Sequence, residues 1–570
     1  MKGTGNVVLG ALLCAIVVSA GDIAAQASVS ARQLPGLWGG GEGVVGPQVR
    51  GEIILEKQSR MWSIRVGGFE AAAAQDGDST VIALAGGQGT LRLWIRHASP
   101  DAFWIQPNVF DGPSYSTPVR FHSVRAGVWR GEVRPQDSRF PLYLFIAQRT
   151  DGGLRGTFRN PEANWPGRAG TMAIERDSGH LVLINPRSGK PQYRQPYDSA
   201  NGTILFDFGF PLVLTRKRDS DAVGYFPRPP SLAPYVYRTP AADDDGWRTG
   251  SARSAGMDAG DLQATVRRIA AADPLNDSMP RVHSLVVARH GKLVLDEYFY
   301  GFSEDRLHDL RSASKTMTSI MAGAAMYRGA TFTMASAIDT AAALRGITLG
   351  HLLTHSSGLA CDDDNDDSPG NEDRMQSQTT TDWYHYTLAL ARIHPPGAVY
   401  AYCSAGINLV GRTIGSATQS WLPEFFDRTI ARPLQMSHYA MNLMPTGEAY
   451  SAGGMQLRPR DLLKFGQLYL NGGVWNGRRL VSAEWVRIST AHQIDRPDSS
   501  SDGFGWHRHT LHVGARDYQT YEASGNGGQM VIVIPALDLV LAATAGNYGQ
   551  YGIWQKIRTV IAPEVMRAVR

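Results

Sequence analysis

Ser312 and Lys315 are the residues of this chain whose types and spacing most directly suggest covalent chemistry. They stand three positions apart at the start of an apolar stretch with helical character. Residues three apart on a helix share a face, so the lysine would reach the serine hydroxyl. That hydroxyl becomes a strong nucleophile when a base takes its proton, and a lysine with a lowered pKa can be that base. The spacing therefore predicts a serine nucleophile at the positive end of a helix.

Later motifs bear on this interpretation, because a Ser-x-x-Lys match alone is also typical of a helix-capping serine followed by a surface lysine. The motifs follow in a fixed order: residues 347–359 (ITLGHLLTHSSGL), Pro395-Pro396-Gly397, Tyr402-Cys403-Ser404, Gly453-Gly454 and residues 524–529 (SGNGGQ). Their order and spacing over residues 246–569 resemble the superfamily of class C β-lactamases and penicillin-binding proteins, especially its esterase and amide-hydrolase branches. The combination is specific although each motif alone is not.

The resemblance assigns catalytic roles to three side chains. Ser312 and Lys315 correspond to the Ser-x-x-Lys pair, and Tyr402 corresponds to the tyrosine of the Tyr-x-Asn motif. A phenol beside an ammonium can lose its proton below its usual pKa, so Tyr402 would serve as base for Ser312 and as acid for the leaving group. Whether Lys315 or Tyr402 is the base stays open, as does the alternative that Tyr402 is a packed core tyrosine. The resemblance also implies an oxyanion hole formed by the backbone N–H groups of Ser312 and Gln529.

The predicted substrate-binding residues depart from the superfamily at two positions. Ser404 stands where the family often has an asparagine that binds a substrate carbonyl, and a serine donates one hydrogen bond at most. Asn526-Gly527-Gly528 stands where β-lactamases carry Lys-Thr-Gly. Without that lysine the β-lactam carboxylate loses a cation, which argues against β-lactamase activity. The two glycines are expected to leave a strand edge open to backbone contact with the substrate.

Signatures of other enzyme classes are absent from the sequence. Gly-x-Ser-x-Gly, His-Glu-x-x-His and a Walker loop do not occur. His351 and His355 are spaced like a zinc pair, but no third ligand is evident, and core or capping histidines are the better interpretation. The acidic run at residues 362–367 lacks the spacing of a calcium loop and is expected to be solvated. No metal or organic cofactor is therefore predicted.

Composition and texture divide the chain into several regions. The 570 residues carry a net charge of +4, too little to indicate nucleic-acid binding. Residues 28–224 contain many short alternating runs between turn residues, which predict an all-β barrel or sandwich. Residues 225–245 are rich in proline and then in aspartate, typical of a linker. Residues 246–570 predict an α+β domain of the β-lactamase/transpeptidase type, with an antiparallel sheet flanked by helices and a helical subdomain.

The start of the chain is typical of a secretory signal peptide, predicted at residues 1–27. Lys2 is followed by an apolar stretch at residues 7–20 and by Ala25-Gln26-Ala27, which fits a cleavage site. We expect a periplasmic or secreted protein with no stable membrane span. Cleavage would leave Cys361 and Cys403, which an oxidising compartment allows to pair; two separate buried thiols are the alternative.

These observations together predict an exported serine hydrolase that acts on carboxylic esters or small amides through an acyl-Ser312 intermediate. The alternative within enzymes is a β-lactamase or a D-amino-acid peptidase. An alternative of another class is a non-catalytic binding protein derived from the superfamily. The expected partner is a small-molecule ester or amide, and no nucleic-acid partner is predicted.

Overall fold

The computed structural model describes residues 34–570 except for the positions 42, 44–47, 96–99, 109–112, 137–138, 161–170, 187, 208–209, 231, 277, 339–343 and 379–381. The predicted signal peptide thus lies outside the described residues. No helix in the described part of the chain is long and apolar enough to cross a bilayer.

The N-terminal part consists of short strands, as its alternating pattern predicts. They are β1 (Gly36–Gly40), β2 (Gly51–Gln58), β3 (Met61–Val66), β4 (Phe69–Ala74), β5 (Ser79–Ala83), β6 (Thr90–Trp94), β7 (Asp101–Pro107), β8 (Ser114–Arg120), β9 (His122–Arg125), β10 (Val128–Val133), β11 (Leu142–Gln148), β12 (Leu154–Arg159), β13 (Thr171–Asp177), β14 (His180–Ile184), β15 (Pro191–Asp198), β16 (Thr203–Asp207) and β17 (Pro211–Arg216).

Eight of these strands, β1 and β11–β17, close into an antiparallel barrel. Alternate residues point inward, so that in β17 Leu212 and Leu214 are buried while Val213 between them is exposed. The barrel interior is filled by apolar side chains around Trp38, whose indole N–H donates to the Leu34 carbonyl at 2.9 Å. The barrel predicted within residues 28–224 is thus built from two separate stretches of the chain, β1 and β11–β17.

The strands between β1 and β11 form two further sheets, and one of them continues into the C-terminal part. Strands β2, β3, β4, β9 and β10 make a five-stranded sheet, while β5–β8 belong to a seven-stranded sheet completed by β21, β22 and β23 of the C-terminal part. Strand β8 pairs with β22 in antiparallel register, with Ser116 opposite Met441. The predicted division at residue 224 therefore does not separate two independently packed units.

Side chains reinforce this shared sheet. The buried carboxylate of Asp427 accepts both guanidinium N–H groups of Arg120, at 2.7 and 2.5 Å, and also binds Arg432 at 2.7 Å. Trp94 stacks on Trp421 with 5.9 Å between ring centroids. Alternation of apolar residues predicts that β5–β8 are strands, but it carries no information on which sheet they join.

Residues 225–245, the predicted linker, lie against the C-terminal part rather than free of it. The Tyr237 hydroxyl donates to the Val294 carbonyl at 2.9 Å, and Arg228 pairs with Glu297. No helix or strand occurs in the described part of this segment, as its prolines predict.

The C-terminal part is the predicted α+β domain. Its strands are β18 (Arg248–Thr249), β19 (Val282–Arg289), β20 (Lys292–Tyr298), β21 (His308–Asp309), β22 (Tyr439–Leu443), β23 (Met455–Leu457), β24 (Val474–Trp475), β25 (Arg478–Arg479), β26 (Ile494–Asp495), β27 (Ser501–Asp502), β28 (His507–Val513), β29 (Arg516–Gly525), β30 (Gln529–Ile534) and β31 (Leu539–Ala545). Its helices are α1 (Ala259–Ala270), α2 (Ser314–Tyr327), α3 (Leu349–Leu353), α4 (Glu372–Gln376), α5 (Trp383–Leu388), α6 (Ser404–Thr418), α7 (Leu422–Phe426), α8 (Pro459–Leu470), α9 (Ala483–Ser489), α10 (Tyr551–Trp554) and α11 (Ala562–Arg567).

A nine-stranded sheet, ordered β18-β20-β19-β31-β30-β29-β28-β27-β26, separates two apolar cores. In β30, Val531 and Val533 pack on the side of α2 and α8, whereas Ile532 and Ile534 pack on the side of α1 and α11. Both faces of the central strands are covered, which explains why β30 and β31 are continuously apolar. The helices α3–α7 form the predicted helical subdomain beside α2.

Candidate active site

Ser312 lies in a tight turn, residues Arg311–Ala313, that leads directly into helix α2. Arg311 has a φ of 49°, in the left-handed region that non-glycine residues rarely adopt. Its backbone N–H donates to Asp309 Oδ1 at 2.8 Å, which holds the strained turn. Most residues of α2 are buried, so the helix fixes Ser312 at the edge of the main core.

The Lys315 side chain contacts the Ser312 hydroxyl in the structure. Lys315 Nζ donates to Ser312 Oγ at 3.0 Å and to the Ala452 carbonyl at 3.0 Å. Burial lowers the pKa of Lys315, but the interactions with Tyr402, Glu372 and Asp363 outweigh this effect and hold the pKa above its ordinary value. Lys315 is therefore an ammonium at neutral pH.

Tyr402 completes the group that the sequence predicted. Lys315 Nζ lies 4.9 Å from the centroid of the Tyr402 ring. Desolvation raises the pKa of Tyr402, and the Lys315 charge and a hydrogen bond with Ser312 oppose that rise without cancelling it. At neutral pH the resting site thus holds a protonated lysine and a protonated tyrosine around the serine hydroxyl.

His351 and His355, spaced like metal ligands, are engaged in the fold. His355 packs on Tyr402 with 4.5 Å between ring centroids, and its Nδ1 accepts the Cys403 N–H at 3.2 Å. Burial and the Lys315 charge lower the pKa of His355 to about 3, so its ring is neutral. His351 Nδ1 accepts the Thr348 N–H at 3.2 Å in a capping box at α3. Across the described residues no cluster of three or more possible metal ligands occurs.

Cys361 and Cys403 form a disulfide in the structure, with their Cα atoms 5.4 Å apart. The bond attaches the acidic loop to the segment that carries Tyr402. Next to it, the Asp363 N–H donates to the Tyr402 carbonyl at 2.7 Å, and Asp363 Oδ2 accepts the Ser404 N–H at 2.8 Å.

Asp363 is a site residue that the sequence analysis missed. Residues 362–367 were expected to be solvated, yet the Asp363 carboxyl faces Lys315 from inside the cleft. Desolvation and the neighbouring Glu372 charge raise the pKa of Asp363 to about 6, against the opposing effect of Lys315. Its position two residues after Cys361, a cysteine of the active-site disulfide, is the one feature of the sequence that pointed toward this role.

The oxyanion hole formed by the backbone N–H groups of Ser312 and Gln529 stays a prediction, and the structure places Gln529 at the start of β30. Gln529 is fully buried, and its side-chain amide donates to the carbonyls of Asn526 and Ala545. Asn526, three residues earlier, lines the cleft together with Ser312.

Three predicted substrate-binding residues do not reach the cleft. Ser404 is completely buried at the first turn of α6. Gly527 and Gly528 have φ values of 97° and 102° and form a buried turn, where a Cβ on Gly527 would lie 2.5 Å from the Tyr548 ring. These glycines therefore form a turn and do not leave a strand edge open to the substrate. Asn526 alone of the four predicted residues faces the cleft.

The cleft has two compartments that share Ser312, Asp363 and Asn526. The first, of about 310 Å³, is lined by four carboxylates, one guanidinium and several polar and aromatic side chains: Asp363, Asp366, Glu372, Asp373, Arg311, Asn371, Gln376, Trp383, Asn442 and Tyr450, with Pro113 from the N-terminal part. The second, of about 510 Å³, is lined by Tyr402, Ser524, Gly525, Arg496, Asp498, His507, His509, Tyr551, Trp554 and Arg558. Tyr402 thus lines only the second compartment among these two.

Comparison with known proteins gives a consistent result for the C-terminal part. The Beta-lactamase family profile matches residues 279–549. The chain is 25% identical over 239 residues to penicillin-binding protein 4 of Amycolatopsis lactamdurans, covering 36% of this chain and 61% of that protein. It is 25% identical over 219 residues to the 6-aminohexanoate-dimer hydrolase of Paenarthrobacter ureafaciens, covering 36% and 55% respectively. The chain therefore spans little more than half the length of these curated relatives.

A solved structure also resembles this chain, the penicillin-binding protein homologue from Caulobacter crescentus. It is 17% identical, with a TM-score of 0.44, and covers 54% of this chain and 97% of its own. The family assignment depends on the profile match and on the two relatives. Residues 279–549 of this chain form a domain of the β-lactamase family, with penicillin-binding-protein and 6-aminohexanoate-dimer hydrolase homologues.

Proposed function

We propose that this protein is a serine hydrolase that cleaves carboxylic esters or small amides through an acyl-Ser312 intermediate. The observation that carries the proposal is the 3.0 Å hydrogen bond from Lys315 Nζ to Ser312 Oγ, at the edge of an open cleft beside Tyr402. The nucleophile and the proton-transfer groups lie together, and with the oxyanion hole predicted at Ser312 and Gln529 they form the arrangement that acyl transfer requires.

The reaction begins when Ser312 Oγ bonds to the substrate carbonyl carbon and its proton passes to the Lys315–Tyr402 pair. The carbonyl oxygen takes up the negative charge, which the backbone N–H groups of Ser312 and Gln529 are predicted to stabilise. Tyr402 then gives a proton to the leaving oxygen or nitrogen as its bond to carbon breaks. Water repeats the sequence and releases the acid. The pair must have lost one proton before it can act, whichever member accepts from Ser312.

The two compartments acquire distinct roles in this scheme. Tyr402 protonates the leaving group and lines the second compartment, so the leaving group occupies that compartment. The acyl group then occupies the first compartment, which is lined by four carboxylates and by Arg311, whose guanidinium is paired with Asp309 at 2.9 Å. The excess of negative charge there disfavours acyl groups that carry a carboxylate and favours neutral or cationic ones.

The second compartment also offers little to the carboxylate of a β-lactam. Its two arginines already have acidic partners, since Arg558 binds Glu522 at 2.6 Å and Arg496 lies 3.4 Å from Asp502. Asn526 adds no charge. These features support esters and amides over β-lactams, and the relative named 6-aminohexanoate-dimer hydrolase supports an amide substrate. A β-lactamase or D-amino-acid peptidase is the second candidate, favoured by the relative named penicillin-binding protein 4.

Labelling with a fluorophosphonate probe separates an enzyme from a non-catalytic binding protein of the same family. The wild type should be labelled and should hydrolyse p-nitrophenyl acetate. Ser312→Ala should lose both, with a loss of turnover on the order of 10⁶-fold, whereas the exposed control Ser303→Ala should retain both. Labelling and full turnover in Ser312→Ala would refute the assignment. An unlabelled, inactive but folded wild type would favour the binding protein.

We also propose that the protein is exported. The support is the sequence of residues 1–27, with Lys2, the apolar stretch and the Ala25-Gln26-Ala27 site. Mass spectrometry of the protein recovered from its native host should find an N-terminus at Ser28. Recovery of the intact N-terminus from the cytoplasmic fraction would contradict export.

A further inference from the structure

We propose that Asn442 recognises the acyl group of the substrate and that the N-terminal β region holds it in position; this inference rests on the proposed hydrolase function. In the superfamily pattern, an asparagine two residues after the catalytic tyrosine offers an amide to the substrate. Here Ser404 has that place and is buried. The first compartment therefore needs another donor if it is to bind a polar acyl group.

Asn442 lies on strand β22 and lines the first compartment together with Ser312. Its side chain is 7% exposed. Three amide groups donate to its Oδ1, from Gln136 at 3.2 Å, Gln456 at 3.4 Å and Asn108 at 3.4 Å. Because these donors fix the oxygen, the amide nitrogen is the group left to face the cleft.

The Asn442 Nδ2 group donates to no acceptor among the described residues. Its atoms are not fully enclosed, since the side chain forms part of the compartment wall. An amide nitrogen in such a confined place is stabilised when a ligand or water accepts its hydrogen bond. A carbonyl oxygen on the acyl chain is the acceptor that fits, because the four surrounding carboxylates disfavour an anionic one. The recognised substrates are thus esters or amides whose acyl chain carries a neutral carbonyl group.

The N-terminal region supplies the support for Asn442. Strand β8 pairs with β22 and sets Tyr115 opposite Asn442. The Tyr115 hydroxyl accepts the Gln136 backbone N–H at 3.0 Å and the Gln106 amide at 2.6 Å. Tyr115 thereby orients Gln136, which orients Asn442. Gln136 is a positioning residue, and the N-terminal β region takes part in substrate selection through it.

A matched pair of substrates isolates this contact: the p-nitrophenyl esters of 4-oxopentanoate and pentanoate, which have the same chain length and differ by one carbonyl. Wild type should show kcat/KM about 10-fold higher for the 4-oxo ester, the effect of one neutral hydrogen bond. In Asn442→Leu the ratio should fall to about 1. Gln136→Leu should lower the same ratio through the KM of the 4-oxo ester.

Equal wild-type values for the two esters, or a ratio retained in Asn442→Leu, would overturn the proposal. Fluorophosphonate labelling of each variant shows whether its active site has folded. If Asn442→Leu is not labelled, the wild-type ratio and Gln136→Leu decide the question, and a Gln136→Leu ratio equal to that of wild type rejects the positioning role. Failure of the hydrolase assignment itself would look different, because neither ester would be turned over by the wild type.

Discussion

The disulfide between Cys361 and Cys403 should contribute strongly to stability. It closes a loop with a sequence separation of 42 residues. The chain-entropy relation gives about 4 kcal/mol for a loop of this size at 25 °C, by restricting the unfolded chain. The replacement Cys361→Ser with Cys403→Ser should lower the free energy of unfolding by up to that amount. The change also releases the acidic loop that carries Asp363 from the Tyr402 segment.

Urea unfolding of the protein, with and without a reductant, measures this effect. Reductant should shift the unfolding midpoint of the wild type to a lower urea concentration. It should leave the midpoint of the double serine variant unchanged, so this variant is the control for other effects of the reductant. Thiol counting on the denatured, unreduced protein provides the chemical check. Two free thiols at residues 361 and 403, or equal midpoints for wild type with and without reductant, would refute the reasoning.

Three further predictions concern specificity, pH dependence and the shared sheet. Short-chain p-nitrophenyl esters should give higher kcat/KM than a chromogenic cephalosporin, because Asn526 offers no cation; the opposite order in a side-by-side assay would contradict this. The pKa values of Lys315 and Tyr402 are both raised, and the active form has lost one proton, so kcat/KM should still be rising with pH at the ordinary pKa of tyrosine, about 10. Asp363→Asn removes a negative charge that raises the Lys315 pKa and should move this rise to lower pH; an unmoved profile would exclude the coupling. Asp427→Asn should destabilise the protein by about 2 kcal/mol in thermal or urea unfolding, because it weakens the charged hydrogen bonds that the buried carboxylate accepts from the partly exposed Arg120 and Arg432. A change below about 0.5 kcal/mol would show that this ion pair matters little.

The sequence predicted those parts of the site that depend on local geometry. Ser312 and Lys315 come together because positions three apart at a helix start share a face, and this requires no knowledge of distant contacts. Tyr402 was found through its motif, since nothing local indicates that residue 402 would meet residue 312. The alternating strands and the two-sided α+β sheet follow from hydrophobic periodicity in the same way.

Other features depend on pairings between distant segments and could not be predicted. Strand β8 joins β22 across more than 300 residues, and the pattern of β8 would suit any sheet edge. The roles of Asp363 and Asn442 arise from that tertiary arrangement.

Trapping the covalent intermediate tests the central claim most directly. The protein is mixed with excess p-nitrophenyl 4-oxopentanoate, quenched in acid within milliseconds to seconds, and analysed by intact mass and peptide mapping. We predict one added 4-oxopentanoyl group per chain, carried by the peptide that contains Ser312, and none in Ser312→Ala. An acyl group on another residue, or rapid turnover by Ser312→Ala, would contradict the account.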